Sequence, residues 1–309
     1  MSGLGLYKLR ERLKRRWFSF WCRGILSTPP LPRSNGDAKF VTVSMVSHRD
    51  LMMYLVAVKS FHHWLGGGRV VILNDGSLTP QDLALLDTHL APARIVRLNE
   101  VEHGRCPTGG CWERLLLIAD YVADHYVIQV DSDTVTLDSL PEVLAAIREN
   151  RSFTLGTGMG RQITTMTEVC TAMKAYKDDH IQVIAEQSFS GLRDYRTLKY
   201  VRGCAGFAGF AAGSFSRARV EAFSGEMTGI LGERWRQWGS EQVASNFIVA
   251  NSPCAGVLPH PRYMNFAPDI PYEGSAFLHF IGTHRFKNNV YVRKAADVIR
   301  QLKTTARRS

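Results

Sequence analysis

Two aspartates spaced two apart, Asp131 and Asp133, close the apolar run Tyr126-Val-Ile-Gln-Val and are the residues of this chain best suited to chemistry. Alternate side chains of an extended segment point the same way, so both carboxylates would face one cation. Hard divalent ions such as Mn2+ or Mg2+ prefer oxygen ligands and bridge protein carboxylates to phosphates. A solvated Asp-x-Asp turn after a strand would read the same in sequence.

Far downstream, Phe277-Leu-His279-Phe-Ile-Gly282-Thr-His-Arg285 offers an imidazole, a glycine and a cation at three-residue spacing. A lone strand histidine is ordinarily a satisfied core residue; Gly282, Arg285 and the upstream acidic pair give it a second reading. The segment resembles the His-x-x-Gly-x-x-Lys signature of the retaining glycosyltransferases of family eight, which includes glycogenin and bacterial lipopolysaccharide galactosyltransferases. By that resemblance His279 is the third metal ligand beside Asp131 and Asp133, while Gly282 and Arg285 approach a diphosphate. Arg285 stands where the family has lysine, exchanging a point charge for a planar fork.

Three weaker likenesses lie between these anchors. Trp112-Glu-Arg114-Leu looks like the family's Arg-Leu segment, where the arginine helps bind the nucleotide. Gly203-Cys-Ala-Gly206-Phe207 looks like its small-residue strand lining the donor pocket. Glu241-Gln242 with Asn246 resembles its Asp-Gln-x-x-x-Asn helix start near the transferred sugar, with glutamate for aspartate. The resemblance covers residues 40–290, and only its two end motifs are specific. It implies a GT-A-type fold and the metal-dependent (Mn2+ or Mg2+) transfer of a sugar from a nucleotide-diphosphate donor, a UDP-sugar, to a hydroxyl of a glycan, lipid or protein. It also implies retention at the anomeric carbon, with Glu241 and Gln242 at the catalytic centre. Glu241 is the one residue nominated as a base should the reaction invert.

Two other classes stay open. Phosphatases of the haloacid-dehalogenase type also place Asp-x-Asp after a hydrophobic strand, with the first aspartate, here Asp131, as nucleophile. They carry the pair on their first strand, whereas three strand-like runs precede it here, and Asp178-Asp179 sits in a polar segment. A non-catalytic membrane-associated binding module is the other.

The elements that must position these residues alternate from residue 39 onward. Residues 40–47, 69–73, 94–98 and 126–130 read as strands and 51–64, 80–89 and 112–124 as helices, Thr79-Pro80 supplying a cap and a first turn. Alternation of this kind predicts an α/β fold with a doubly wound, mostly parallel sheet, whose ligands sit at the carboxyl ends of strands. Asp75 and Asp131 both fall at such ends. Asp75 is a contact for base or ribose, or Asn74-Asp-Gly-Ser77 is turn chemistry. Residues 156–160 read as a glycine-rich loop, and residues 161–200 as a polar, poorly periodic insert facing the acceptor. Trp112, Trp235 and Trp238 either stack on sugar or fill the core.

The net charge of +10 divides unevenly: residues 1–34 and 285–309 each carry +7, leaving the body at −4. Basic ends on an acidic body do not suit a nucleic-acid face and leave phosphate-rich ligands or anionic membrane as partners. In residues 1–26, Leu6, Leu9, Leu13, Trp17, Phe20 and Trp21 fall on one helical stripe with arginines largely opposite. That stripe is a membrane-surface anchor, a helix docked on its own domain, or an organelle presequence. The expected organisation is an extension with linker at 1–36, a catalytic domain at 37–290 and a basic tail at 291–309. Six scattered cysteines without zinc spacing point to a reducing, cytoplasmic setting, peripheral to the inner face of a membrane.

Overall fold

The computed structural model describes residues 3–32 and 38–305, without the side chains of 3–8, 283 and 305. The Leu6 side chain, Gly36 at the expected domain boundary and residues 306–309 therefore lie outside the described residues. In chain order the elements are α1 (Gly3–Trp21), β1 (Phe40–Val46), α2 (Leu51–Leu65), β2 (Gly68–Asn74), α3 (Pro80–Leu90), β3 (Ala93–Arg97), α4 (Trp112–Val122), β4 (Val127–Val130), β5 (Thr134–Thr136), α5 (Pro141–Arg148) and β6 (Phe153–Gly156). There follow β7 (Thr164–Thr165), α6 (Met166–Met173), α7 (Ile181–Ser188), β8 (Lys199–Tyr200), β9 (Gly203–Phe210), α8 (Arg217–Leu231), α9 (Ser240–Ala250), β10 (Gly256–Val257), β11 (Tyr263–Asn265), β12 (Phe277–His279) and α10 (Val290–Thr305).

A seven-stranded sheet in the order β10-β6-β9-β4-β1-β2-β3 forms the centre. Strands β4, β1, β2 and β3 run parallel, and β9 lies antiparallel between β4 and β6. The expected α/β, mostly parallel sheet is therefore present. β1 and β4 are apolar along nearly their whole length because both sheet faces are covered. Two polar residues of β1 are satisfied internally: Ser44 Oγ donates to Val130 O at 2.7 Å, and Thr42 Oγ1 meets His62 Nε2 at 2.9 Å. α3 starts with a reciprocal capping box between Thr79 and Asp82 behind Pro80. A three-stranded sheet, β11-β12-β5, stands beyond the carboxyl end of β4, so β12 returns antiparallel to β5 directly after the Asp-x-Asp turn.

Residues 161–200 hold more regular structure than their composition suggests. Two eight-residue helices, α6 and α7, are capped by Thr165 and His180 and bury Met166, Cys170, Met173, Ile181 and Ala185. Helices of two turns are too short to display a clear 3.6-residue period.

The two chain ends share one hydrophobic cluster with α2. Phe18, Cys22 and Ile25 are fully buried there with Val290, Tyr291, Ala295 and Val298 of α10. The Phe18 ring centroid lies 4.3 Å from that of Tyr291. Lys59 Nζ donates to Thr28 O at 3.3 Å and to His89 Nδ1 at 3.1 Å, tying residue 28 to α2 and α3. Phe18→Ala should therefore lower the unfolding free energy by about 3 kcal/mol, the usual scale for emptying a buried phenylalanine site. Urea denaturation checks this; a loss below about 1 kcal/mol would show that α1 lies outside the cooperative unit.

Candidate active site

Asp131 and Asp133 are not on a continuous strand. β4 ends at Val130, and residues 131–133 form a turn before β5. Alternation along a strand therefore does not bring the carboxylates together; the shape of the turn does. The turn is pinned from four sides: Asp131 N–H donates to Gly206 O (2.9 Å), Thr134 Oγ1 to Asp131 O (2.9 Å), Tyr291 Oη to Ser132 O (3.2 Å) and Phe280 N–H to Asp133 O (2.8 Å). Strands β9 and β12 and helix α10 hold the bend that the acidic residues occupy.

His279, at the end of β12, enters the same spot. One ligand atom from each of Asp131, Asp133 and His279 lies within 4.8 Å of the others, the one group of this kind among the described residues that could hold a metal ion. His279 Nε2 is 3.1 Å from Asp133 Oδ1 and 4.0 Å from Asp131 Oδ2. Its Nδ1 donates to Asn265 Oδ1 at 2.9 Å, with Cys204 Sγ 3.3 Å from the same nitrogen. A partner on Nδ1 turns Nε2 toward the carboxylates, the arrangement usual behind metal-bound imidazoles. Two carboxylate oxygens and one imidazole nitrogen suit Mn2+, so the residues fit a divalent cation.

Burial opposes charge on Asp133, yet His279 and the Arg285 guanidinium outweigh it and hold the carboxyl well below its ordinary range. Arg285 Nη2 donates to Asp133 Oδ2 at 2.5 Å and its Nε to Phe280 O at 3.1 Å. Gly282 has φ +44°, a left-handed conformation that favours glycine, and its carbonyl accepts Arg285 N–H at 3.3 Å. This turn folds Arg285 back over the acidic pair. On the other side Arg114, at the start of α4, pairs with Asp131 and lies 3.4 Å from Glu241 Oε1 at the start of α9. Trp112 Nε1 donates to Ser240 Oγ at 2.9 Å and joins the two helix starts. Burial pushes the Glu241 carboxyl up to about 7 despite Arg114 beside it.

Gly206 marks a steric limit. A Cβ there would stand 2.1 Å from His279 Cε1, so only glycine lets the ring reach the aspartates. Gln242 lies one step out: its Oε1 accepts Ala205 N–H at 3.3 Å, and its Nε2 donates to Gln182 Oε1 of α7 at 3.1 Å. Asp75 sits at the same carboxyl edge, its N–H on Val46 O, and its Oδ1 accepts both Ser77 N–H and Ser77 Oγ–H. Asp75 therefore makes the turn that Asn-Asp-Gly-Ser predicts, apart from the cation cluster. Trp112 and Trp235 are core; Trp238 is exposed beside His180. Asp179 is fully exposed, 4.0 Å from Arg234, so no second acidic centre among the described residues backs the phosphatase reading, and Asp131 follows the fourth strand, not the first. Asn265, Tyr291 and Gln182 carry no motif that would mark them, because their roles depend on elements far apart in the chain.

A cavity lined by Met159, Val169, Met173, Glu186 and Arg202 opens between α6, α7 and the residues after β6. Glu186 is fully buried, pairs with Arg202 at 2.7 Å, and burial pushes its carboxyl up to about 7. Its folded state holds the proton that the unfolded chain releases near pH 4.5, so stability is intact below that pH and falls as pH rises toward 7. Glu186→Gln should remove roughly 3 kcal/mol of the stability difference between pH 5 and pH 8, read from urea unfolding at both. Gly206→Ala should cost about 1–3 kcal/mol and shift the His279 ring resonances, whereas Gly229→Ala, with open space around it in α8, should be neutral or slightly stabilising. An unmoved His279 signal in Gly206→Ala would refute the steric role.

No family model matches the sequence, and no curated protein is significantly similar to it. Among solved structures, the bifunctional glycosyltransferase WbbM in its apo form is similar over 88% of this chain and 51% of that chain, with 14% identity and a TM-score of 0.55. This chain thus spans about half the length of that protein. The galactosyltransferase LgtC, solved with donor and acceptor sugar analogues, is similar over 85% of this chain and 96% of its own, at 11% identity and a TM-score of 0.47. The apo-form glycosyltransferase GlyE of Streptococcus pneumoniae TIGR4 gives 86%, 64%, 13% and 0.48 in the same order. The chain has a GT-A-type glycosyltransferase fold.

Proposed function

We propose that this protein is a metal-dependent glycosyltransferase that moves a sugar from a UDP-sugar to an acceptor hydroxyl with retention. The observation that carries the reading is the convergence of Asp131, Asp133 and His279 at the carboxyl edge of a sheet with this fold. These three residues would hold Mn2+ or Mg2+, which supplies charge neutralisation for the departing diphosphate. Coordination through His279 Nε2 requires that nitrogen to give up any proton it shares with Asp133.

The rest of the chemistry belongs to the chain's own residues. Arg285 brings a forked guanidinium to the same spot, where it can bond two phosphate oxygens at once. Arg114 adds positive potential beneath Asp131. Transfer breaks the anomeric bond to the diphosphate oxygen and forms a bond to the acceptor oxygen, whose proton leaves with the UDP. Glu241 is buried against Arg114 and holds that guanidinium in place, which leaves no free carboxylate there for an inverting base. This favours retention, and Gln242, fixed by Ala205 and Gln182, is the residue we place against the transferred sugar. We assign Asp75 to the nucleoside end and the cavity lined by Glu186 of α7 to the acceptor, the same helix carrying the Gln182 that holds Gln242.

Calorimetric titration of UDP with Mn2+ and again with EDTA tests the donor site. Binding should require the metal and fall by about 100-fold or more in Asp133→Ala and His279→Ala, because each removes a ligand. Asp133→Asn, which keeps the volume but loses the charge, should behave likewise. Absence of UDP binding with Mn2+ would refute the reading.

A further inference from the structure

Helix α1 has two apolar sides. Phe18, with Cys22 and Ile25 just past the helix end, is buried against α10 and α2. Leu9, Leu13, Trp17, Phe20 and Trp21 are left 41–67% exposed, half of the ten large apolar side chains exposed among the described residues. At 3.6 residues per turn these five fall within a sector of roughly 120°, centred about 120° from Phe18. The rings touch one another: Trp17 and Phe20 both lie 6.1 Å from Trp21. Exposed Arg12 and Arg16 border the stripe on one side and Lys14 on the other, Arg10 falls within its angular range at the N-terminal end, and Arg23 follows. Lys303 of α10 comes to the same end, its Nζ 3.5 Å from where a Cβ on Gly24 would stand.

A contiguous apolar patch of this size is rare on a surface that meets only water. Its basic border decides what covers it. A second copy placed face to face would set arginine against arginine, since a two-fold interface pairs each patch with itself. An anionic lipid surface instead neutralises the border while taking up tryptophan and phenylalanine at the headgroup level. We propose that the outer face of α1 lays this protein on an anionic membrane surface, with the helix axis in the membrane plane. No helix among the described residues is long and apolar enough to cross a membrane, so contact along a surface is the mode that fits. The burial of Phe18 makes the patch part of the folded body and fixes which side of the molecule faces lipid. The proposal stands independently of the sugar-transfer reading.

Flotation of the full chain with vesicles tests it, using phosphatidylcholine alone and an equal mixture with phosphatidylglycerol. The wild type should partition to the anionic vesicles with a blue shift in tryptophan emission. Combined Trp17→Ser, Phe20→Ser and Trp21→Ser should cut partitioning by roughly tenfold or more, with melting temperature and Mn2+-dependent UDP binding unchanged. Arg12→Gln with Arg16→Gln should reduce the preference for anionic over neutral vesicles. Partitioning that is absent in the wild type, or equal in the triple variant, would overturn the proposal. So would a dimer by light scattering that the triple variant dissolves without any vesicle binding, which would make a second copy the occupant.

Discussion

A carboxylate taken out of water must be held by positive partners or it will not stay charged. Asp133 is 7% exposed, and the architecture around the site answers that demand. Arg285 reaches it because Gly282 adopts a left-handed turn, and His279 reaches it because Gly206 lacks a side chain. Asn265 then settles which face of the imidazole meets the acids. On the opposite flank one guanidinium, Arg114, serves Asp131 and Glu241 together. Five elements that are distant in sequence, β9, β11, β12, α4 and α9, are thereby obliged to meet at one point.

The sheet explains how they do so. β1, β2 and β3 follow the alternating rhythm of an open α/β fold and build the half that receives Asp75. The other half departs from that rhythm. β9 runs backward between β4 and β6 and presents small residues, Gly203 to Gly206, to the acidic turn. β12 then comes back along β5, which delivers His279 from the far end of the chain.

Residues 40–130 were legible because most of their strands are apolar runs and their helices, α2, α3 and α4, exceed ten residues, so each period shows itself. The acidic pair and His279 were legible as motifs, although a turn with four anchors, and not alternation along a strand, brings the carboxylates together. Short helices such as α6 and α7 defeat a periodicity argument. Asn265, Tyr291 and Gln182 escaped because a single polar residue far from the motif it serves has no spacing to betray it. Asp75 was read two ways, and its contacts with Ser77 give the turn a definite part.

Phe18 rests on Tyr291, and the Tyr291 hydroxyl holds the carbonyl of Ser132, the residue between the two aspartates. Two contacts therefore make a continuous strut from α1 to the turn that carries the acidic pair. A chain shortened ahead of residue 19 would keep every acidic and basic residue of the centre and lose the brace that aligns them. The helix is in this sense a keystone, and trimming it would impair the alignment of the centre together with the surface attachment proposed for its outer face.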